Sequence, residues 1–266
     1  MRDRTLLLGL YSAAEGAHAL LASQDGDCLA ECRRDAEGSV VKTALLALEP
    51  CLRALGTRDC HACLSLHKYA DQISLGLLPG VSRLSIVRPQ EALLSGTLGG
   101  RPGVVVHWAR MSRGLGVDEE GHLKGVAQDE GGLRWMMDRL GHFDELRFAS
   151  HDEAVGELMK RASHGSRLEV GLLQECVTAM MELLLHLLPQ LRLPQGAPIC
   201  WVGPGADGPL PNLLADCLGG YVKGLRWIKP QMSPAQGCVL LARAASRRGE
   251  QGRVDARTWR SLFQDS

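Results

Sequence analysis

The opening stretch Leu6–Glu31, LLLGLYSAAEGAHALLASQDGDCLAE, restricts the choice of fold more than any other part of this chain. An apolar run, Thr5–Leu10, is followed by a turn of small residues and a second apolar stretch, Ala17–Ser23. Asp25-Gly26 and a third stretch, Cys28–Arg33, come next. Asp-Gly between apolar runs is a strong hairpin signal, because its glycine accepts the positive φ that a tight reversal needs. Three antiparallel strands this close in sequence make a meander whose apolar face must be covered by a later element. Val41–Leu55 has the periodicity to cover it: an amphipathic helix ending at Gly56, with an interruption expected near Pro50.

The pattern then continues with short strands. Cys60–Leu66 alternates like a strand, Leu84–Val87 is a second one stopped by Pro89, and Glu91–Gly96 starts a short helix. Pro102–Ala109 reads as a buried strand, and Ser112–Ala127 as a hairpin turning at Glu120-Gly121. From Gly131 the periodicity is helical through Leu133–Phe143, Asp152–Ala162 and Leu168–Leu191. A strand with a glycine turn (Ala197–Gly205), a helix (Leu210–Val222), a strand (Leu225–Pro230) and a closing helix (Ser233–Ser246) complete the chain. No internal repeat is visible. The order predicts an α/β protein of two lobes, 1–100 and 101–266.

Composition narrows the function classes. Thirty basic residues balance thirty acidic ones among 266, which gives no electrostatic warrant for nucleic acid or an anionic membrane. Nine cysteines, an odd number at irregular spacing, suit a reducing cytoplasm better than a disulfide framework. Arg2, Arg4 and the run from Leu6 imitate a signal peptide, but Glu15 interrupts its apolar core. The run MMELLLHLL is too short to span a bilayer and carries Glu182 and His186. A soluble cytoplasmic protein is expected, with no nucleic-acid or membrane partner.

Four blocks in order carry a resemblance. Gly96–Gly141, with its buried strand, hairpin and DEGG turn, resembles the middle of N-acetylglucosamine kinases and BadF/BadG-type ATPases. APICWVGPGADGPLPNLLADCLG resembles their adenosine-side strand and glycine turn, and PQMSPAQGCVLLARAA their closing helix. The opening hairpin resembles their phosphate-binding strand, with Gly9 in place and DGDCLAE matching the return strand. The match covers nearly the whole chain. It implies an actin-like ATPase fold, two RNase H-like lobes with an interlobe cleft, using ATP and Mg on an amino sugar or a partner protein. About thirty residues are missing against a typical member, mostly between Gly141 and Glu169, so the helical insertion of the second lobe is shortened.

The departures fall on the chemistry. Phosphoryl transfer needs phosphate positioning, a metal and a base. The family's metal-holding aspartate corresponds to Tyr11, a phenol that cannot replace a hard anionic oxygen. Its phosphate-loop glycines correspond to Ser12, Ala13 and Ala14, and its hydroxyl to Glu15, whose charge repels a triphosphate. The base position holds Pro89, or Gln90 in a register one residue along, with Glu91 the nearest acid. The second phosphate turn has become Ala109-Arg110-Met111-Ser112, which keeps only the serine. Carried over from the resemblance are Asp129, Glu130, Gly131 and Ser112 on the substrate side, and Gly9, Gly203 and Gly205 on the nucleotide side.

Other features have ordinary readings. CHACLSLH, Cys60–His67, sets two thiols and two histidines close together, but no second pair completes a metal site, and alternation puts Cys60, Ala62, Leu64 and Leu66 on one strand face. The GPGADGP stretch lacks the GK[ST] ending of a phosphate loop. Trp135, Met136 and Met137 read as packing. Two function classes remain. One is a non-catalytic, kinase-like binding or regulatory subunit, pairing with itself or an intact paralogue. The other is an active amino-sugar kinase or activating ATPase whose chemistry has moved to Glu91, Asp118 or Asp129; a sugar-binding module without turnover is a third, weaker alternative.

Overall fold

A computed structural model describes residues 5–13, 16–36, 39–66, 78–141, 151–219, 224–249, 252, 253 and 259. The chain opens with β1 (Leu6–Ala13), β2 (Gly16–Ala22), β3 (Cys28–Asp35), α1 (Val40–Leu55), β4 (Cys60–Leu66), β5 (Val81–Val87) and α2 (Pro89–Leu98). It continues with β6 (Gly103–Trp108), β7 (Ser112–Val117), β8 (Leu123–Gln128), α3 (Leu133–Gly141), α4 (His151–Ser163) and α5 (Arg167–Leu187). The last elements are β9 (Ala197–Val202), α6 (Leu210–Gly219), β10 (Leu225–Ile228), α7 (Pro234–Arg248) and the two-residue β11 (Gly252–Arg253). These elements form two compact units, Met1–Arg101 with Gln231–Ser266, and Pro102–Pro230.

The first unit is built on a sheet of order β11-β5-β4-β1-β2-β3, the second on β10-β9-β6-β7-β8. In each, three antiparallel strands are followed by two parallel strands added beside the first. The same topology therefore occurs twice, once in each unit, as two RNase H-like lobes require, although no repeat is visible in the sequence. A parallel addition needs a helical crossover to carry the chain back, and α1 supplies it in the first unit.

Helix α1 starts at Ser39, whose hydroxyl accepts from the Lys42 amide at 3.2 Å. Ala44, Ala47, Leu48, Cys51 and Leu55 then form a fully buried stripe at helical spacing, packed with Leu6, Leu8, Leu10, Ala62 and Leu64 of the sheet. The expected interruption near Pro50 does not occur, and the helix runs through it. A proline in a helix interior costs about 3 kcal/mol. Full burial of Leu48 and Leu55 alone returns a comparable amount, at roughly 1.5–3 kcal/mol per side chain.

The closing helix α7 lies on the opposite side of β1 and belongs to the first unit, which corrects the assignment of all of 101–266 to the second lobe. Glycines make this possible. A Cβ on Gly9 of β1 would lie 2.3 Å from the Ala235 carbonyl oxygen. One on Gly237 would meet the Ala92 oxygen at 2.2 Å, and one on Gly96 the Ser233 oxygen at 2.3 Å, so α2 and α7 touch through their backbones. The Cys238 thiol donates to the Leu10 carbonyl at 3.2 Å, and the amides of Gln231 and Met232 donate to Thr97 and Gly96 at 3.1 Å each.

In the second unit, Val104, Val106 and Trp108 of β6 and Ile199 and Trp201 of β9 pack against α3, α4, α5 and α6. Helix α5 with the 3-10 turn after it, Arg167–Gln190, is long and apolar enough to cross a membrane by length and composition. Half of its apolar window is buried within the protein, with Leu172, Cys176, Met180, Leu184 and Leu187 in the core, which is the arrangement of a core helix. Gly114 and Gly116 of β7 give α5 and the segment after it their seat. A Cβ there would lie 2.3 Å from Leu183 Cδ2 and 2.2 Å from Leu191 Cδ1.

Candidate functional site

Three turns of the second unit meet at the end of its central strands. Leaving β6, the chain makes the turn Ala109–Met111 before β7. The turn Asp129–Gly132 joins β8 to α3 and sits directly against it. The Leu133 amide donates to the Ala109 carbonyl at 2.9 Å, and the Arg134 amide to Arg110 at 3.2 Å. A Cβ on Gly132 would lie 2.7 Å from the Arg110 oxygen, so only glycine permits this approach. Trp108 fixes the same turn from below, its indole Nε1 donating to the Gly131 carbonyl at 2.8 Å. Gly131 has φ +70° and faces Ala179 of α5, where a Cβ would meet the alanine methyl at 2.6 Å.

The third turn follows β9. Gly203, with φ +123°, lies so close to β6 that a Cβ would be 2.0 Å from the Trp108 carbonyl oxygen. Gly205, with φ +71°, completes the turn against Leu210 and Trp108. Trp108 and Trp201 meet edge to face, with centroids 5.6 Å apart. The candidate residues Ser112, Asp129, Glu130, Gly131, Gly203 and Gly205 are therefore gathered around the end of β6. Asp129 and Glu130 are exposed, and Ser112 is buried, its hydroxyl without a hydrogen-bond partner among the described residues.

A cavity of about 390 Å³ opens beside the third turn, lined by Trp201, Asp207, Asn212, Trp227 and Lys229 among others. That is within the size range of small-molecule pockets. Its rim carries an exposed ion pair, Lys229 Nζ to Asp207 Oδ1 at 3.1 Å. Trp227 and Lys229 escaped the sequence reading. Their signal would have been a Trp on the strand next to the glycine turn and a Lys directly after that strand.

The first unit places its candidates differently. Tyr11 stands near the end of β1, opposite His18 of β2 and Ser65 of β4. Strand alternation puts Ser12 on the side of Leu8 and Leu10, toward the α1 core, where its hydroxyl is fully buried with no hydrogen-bond partner among the described residues. The space beside Gly9 is taken by α7. Ala14 and Glu15 lie outside the described residues. The described donors of β1 therefore do not fit a magnesium triphosphate: a phenol replaces the carboxylate, and the bare glycine backbone faces a helix.

At the base position, Arg88 precedes α2 and Pro89 and Gln90 form its first turn. Glu91 is only 3% exposed. Its Oε2 accepts from the Arg88 amide at 2.6 Å, while Oε1 takes Nε and Nη2 of Arg88 at 3.1 and 3.0 Å. Both carboxylate oxygens thus close the N-terminus of a helix.

Asp118 lies at the β7–β8 reversal, at the far end of β7 from Ser112, about 20 Å along a six-residue strand. Its Oδ1 accepts from the amides of Glu120 and His122 at 3.0 and 2.8 Å. It cannot act with Asp129 on one substrate atom. Cys60 and Cys63 point to opposite faces of β4, so they cannot share a metal ion, and His67 lies outside the described residues. Burial pushes the Cys60 thiol up to about 12 and the Cys63 thiol well above its ordinary value. His61 bonds Ser85 Oγ at 2.8 Å, and burial followed by the Arg83 charge lowers it to about 4.

No protein-family model matches the chain, and no curated protein matches it. Solved structures do. A candidate N-acetylglucosamine kinase from Chromobacterium violaceum aligns over 90% of this chain and 99% of its own, with a TM-score of 0.66 and 19% identity. A ROK family protein from Streptococcus pneumoniae, in complex with sucrose, aligns over 92% and 100%, with a TM-score of 0.61 and 10% identity. The activator of 2-hydroxyisocaproyl-CoA dehydratase from Clostridium difficile, with bound ADPNP, aligns over 92% and 96%, with a TM-score of 0.53 and 11% identity. The chain has the actin-like ATPase fold.

Proposed function

We propose that this protein is a kinase-like member of the actin-fold ATPases that no longer transfers phosphate and works as a binding or regulatory subunit. The observation that carries the reading is Glu91. The nearest acid to the base position is buried, and both its oxygens are held by Arg88. A general base must reach the proton it removes. Tyr11 supports the same reading, since it stands where a carboxylate would hold the metal.

The retained side is the second unit. Its cavity between Trp201 and Trp227 suits the flat, uncharged nucleoside part of ATP, and exposed Asp129 and Glu130 suit the hydroxyls of an amino sugar. ATP recognition would then rest on the base and ribose, with magnesium contributing little. The partner is a second copy or a paralogous chain.

The test is transfer of the γ-phosphate from ATP to N-acetylglucosamine or glucosamine, run with the protein and with Glu91→Gln. Both should match the rate without protein. Turnover by the protein that disappears in Glu91→Gln would make Glu91 a base and overturn the reading.

A further inference from the structure

Strand β3 ends the first unit's sheet, and among the described elements it pairs with β2 alone. An edge strand offers a row of backbone donors and acceptors to any second strand, and proteins normally blunt such edges with charged side chains, proline, bulges or a covering helix. β3 has one bulge, at its start, where Ala22 pairs with Cys28 and Leu21 with Ala30, leaving Leu29 extra and 44% exposed. Beyond it, Ala30-Glu31-Cys32-Arg33-Arg34-Asp35 is a regular ladder without proline or glycine, and its charges, Glu31, Arg33, Arg34 and Asp35, are of both signs, so they repel a strand of one sign but can pair with a strand of matching order. We propose that this edge pairs antiparallel with the same edge of a second copy of the chain, about a two-fold axis through Cys32.

The charges choose the register. Along β3, successive residues turn their backbone groups alternately toward β2 and toward the open edge. Two copies can form a ladder only if residues of the same kind stand opposite, so the axis must pass through a residue rather than between two. An axis at Glu31 would set Glu31 against Glu31 of the second copy. An axis at Arg33 would oppose the two Arg33 side chains and set Glu31 against Asp35 twice. Like charges directly opposite are destabilising. An axis at Arg34 leaves only Arg33–Asp35 of each copy paired, with Arg34 against itself, and one at Ala30 runs into the bulge. The axis at Cys32 sets Glu31 against Arg33 of the second copy on both sides and pairs Ala30 with Arg34.

Both charges are available for this. The Glu31 and Arg33 side chains are 43% and 72% exposed, and their contact within one strand is a 3.2 Å surface pair. His18 of β2 lies 2.8 Å from Glu31 and holds its carboxylate on this face of the sheet. The inference concerns the first unit's edge alone and does not depend on the loss of catalysis.

The test is the oligomeric state of the full chain, measured by sedimentation over a range of concentrations. A dimer is expected. Glu31→Arg should weaken it by on the order of tenfold or more, and Glu31→Arg with Arg33→Glu should restore it. In a Cys28→Ser, Cys217→Ser background, a short bis-maleimide should link two chains, and Cys32→Ser should abolish the link. Circular dichroism would establish that each variant is folded. A monomer at every concentration overturns the proposal, as does a dimer indifferent to Glu31→Arg. Weakening that the charge exchange fails to rescue overturns the register.

Discussion

Lowering the pH from 7 to 5 should destabilise this protein through two histidines, His61 on β4 and His107 on β6. His61 is fully buried, and neither its Nδ1 nor that of His107 has a hydrogen-bond partner among the described residues. Burial is the larger cause in each, aided by Arg83 beside His61 and Arg113 beside His107, and each imidazole is lowered from 6.5 to about 4. The folded state thus resists a proton that the unfolded chain accepts. The stabilisation is complete above pH 6.5 and is lost as the pH falls toward 4. Between pH 7 and 5 each histidine removes about 2 kcal/mol, a large part of the 5–15 kcal/mol of a typical fold. The assay is guanidinium unfolding followed by circular dichroism at both pH values, for the protein, His61→Gln and His107→Gln. Each substitution has its own cost, so the quantity to compare is the difference between the two pH values. That difference should shrink by about 2 kcal/mol in each variant. An unchanged difference in both would refute the reasoning.

Two further substitutions probe packing and the cap. Gly237→Ala should lower thermal stability by about 3 kcal/mol or more, because the methyl would need the space of the Ala92 carbonyl oxygen. Glu91→Ala should cost about 1–2 kcal/mol in denaturant unfolding by opening the start of α2, while leaving any residual ATP turnover unchanged.

Much of the fold was legible because the local signals agree with one another. Asp25-Gly26 marked the reversal between β2 and β3, and the strand expected over Cys60–Leu66 matched β4 residue for residue. Pro50 misled because a local propensity was outweighed by the buried stripe of α1. The place of α7 was hidden because nothing in a helical pattern names the sheet it will cover; only the close approaches at Gly9, Gly96 and Gly237 reveal it. The doubled topology left no repeat in the sequence, since hydrogen-bonded strand order constrains pattern and not residue identity, and only the resemblance to actin-like ATPases implied two lobes of one kind. At the candidate site, the glycines of the 129–132 and 203–205 turns could be found, but their convergence on Trp108 could not. Glu91 read as a stand-in base because an acid beside the expected position is all a sequence displays. Its commitment to Arg88 is a matter of geometry.

The most direct test of the central claim is calorimetric titration of ATP into the full chain, with and without magnesium and with N-acetylglucosamine or glucosamine present. The account predicts that magnesium will not strengthen any binding observed, because Tyr11 supplies no anionic oxygen and the β1 backbone at Gly9 is covered by α7. Tight binding that requires magnesium would contradict it and return the protein to the active kinases.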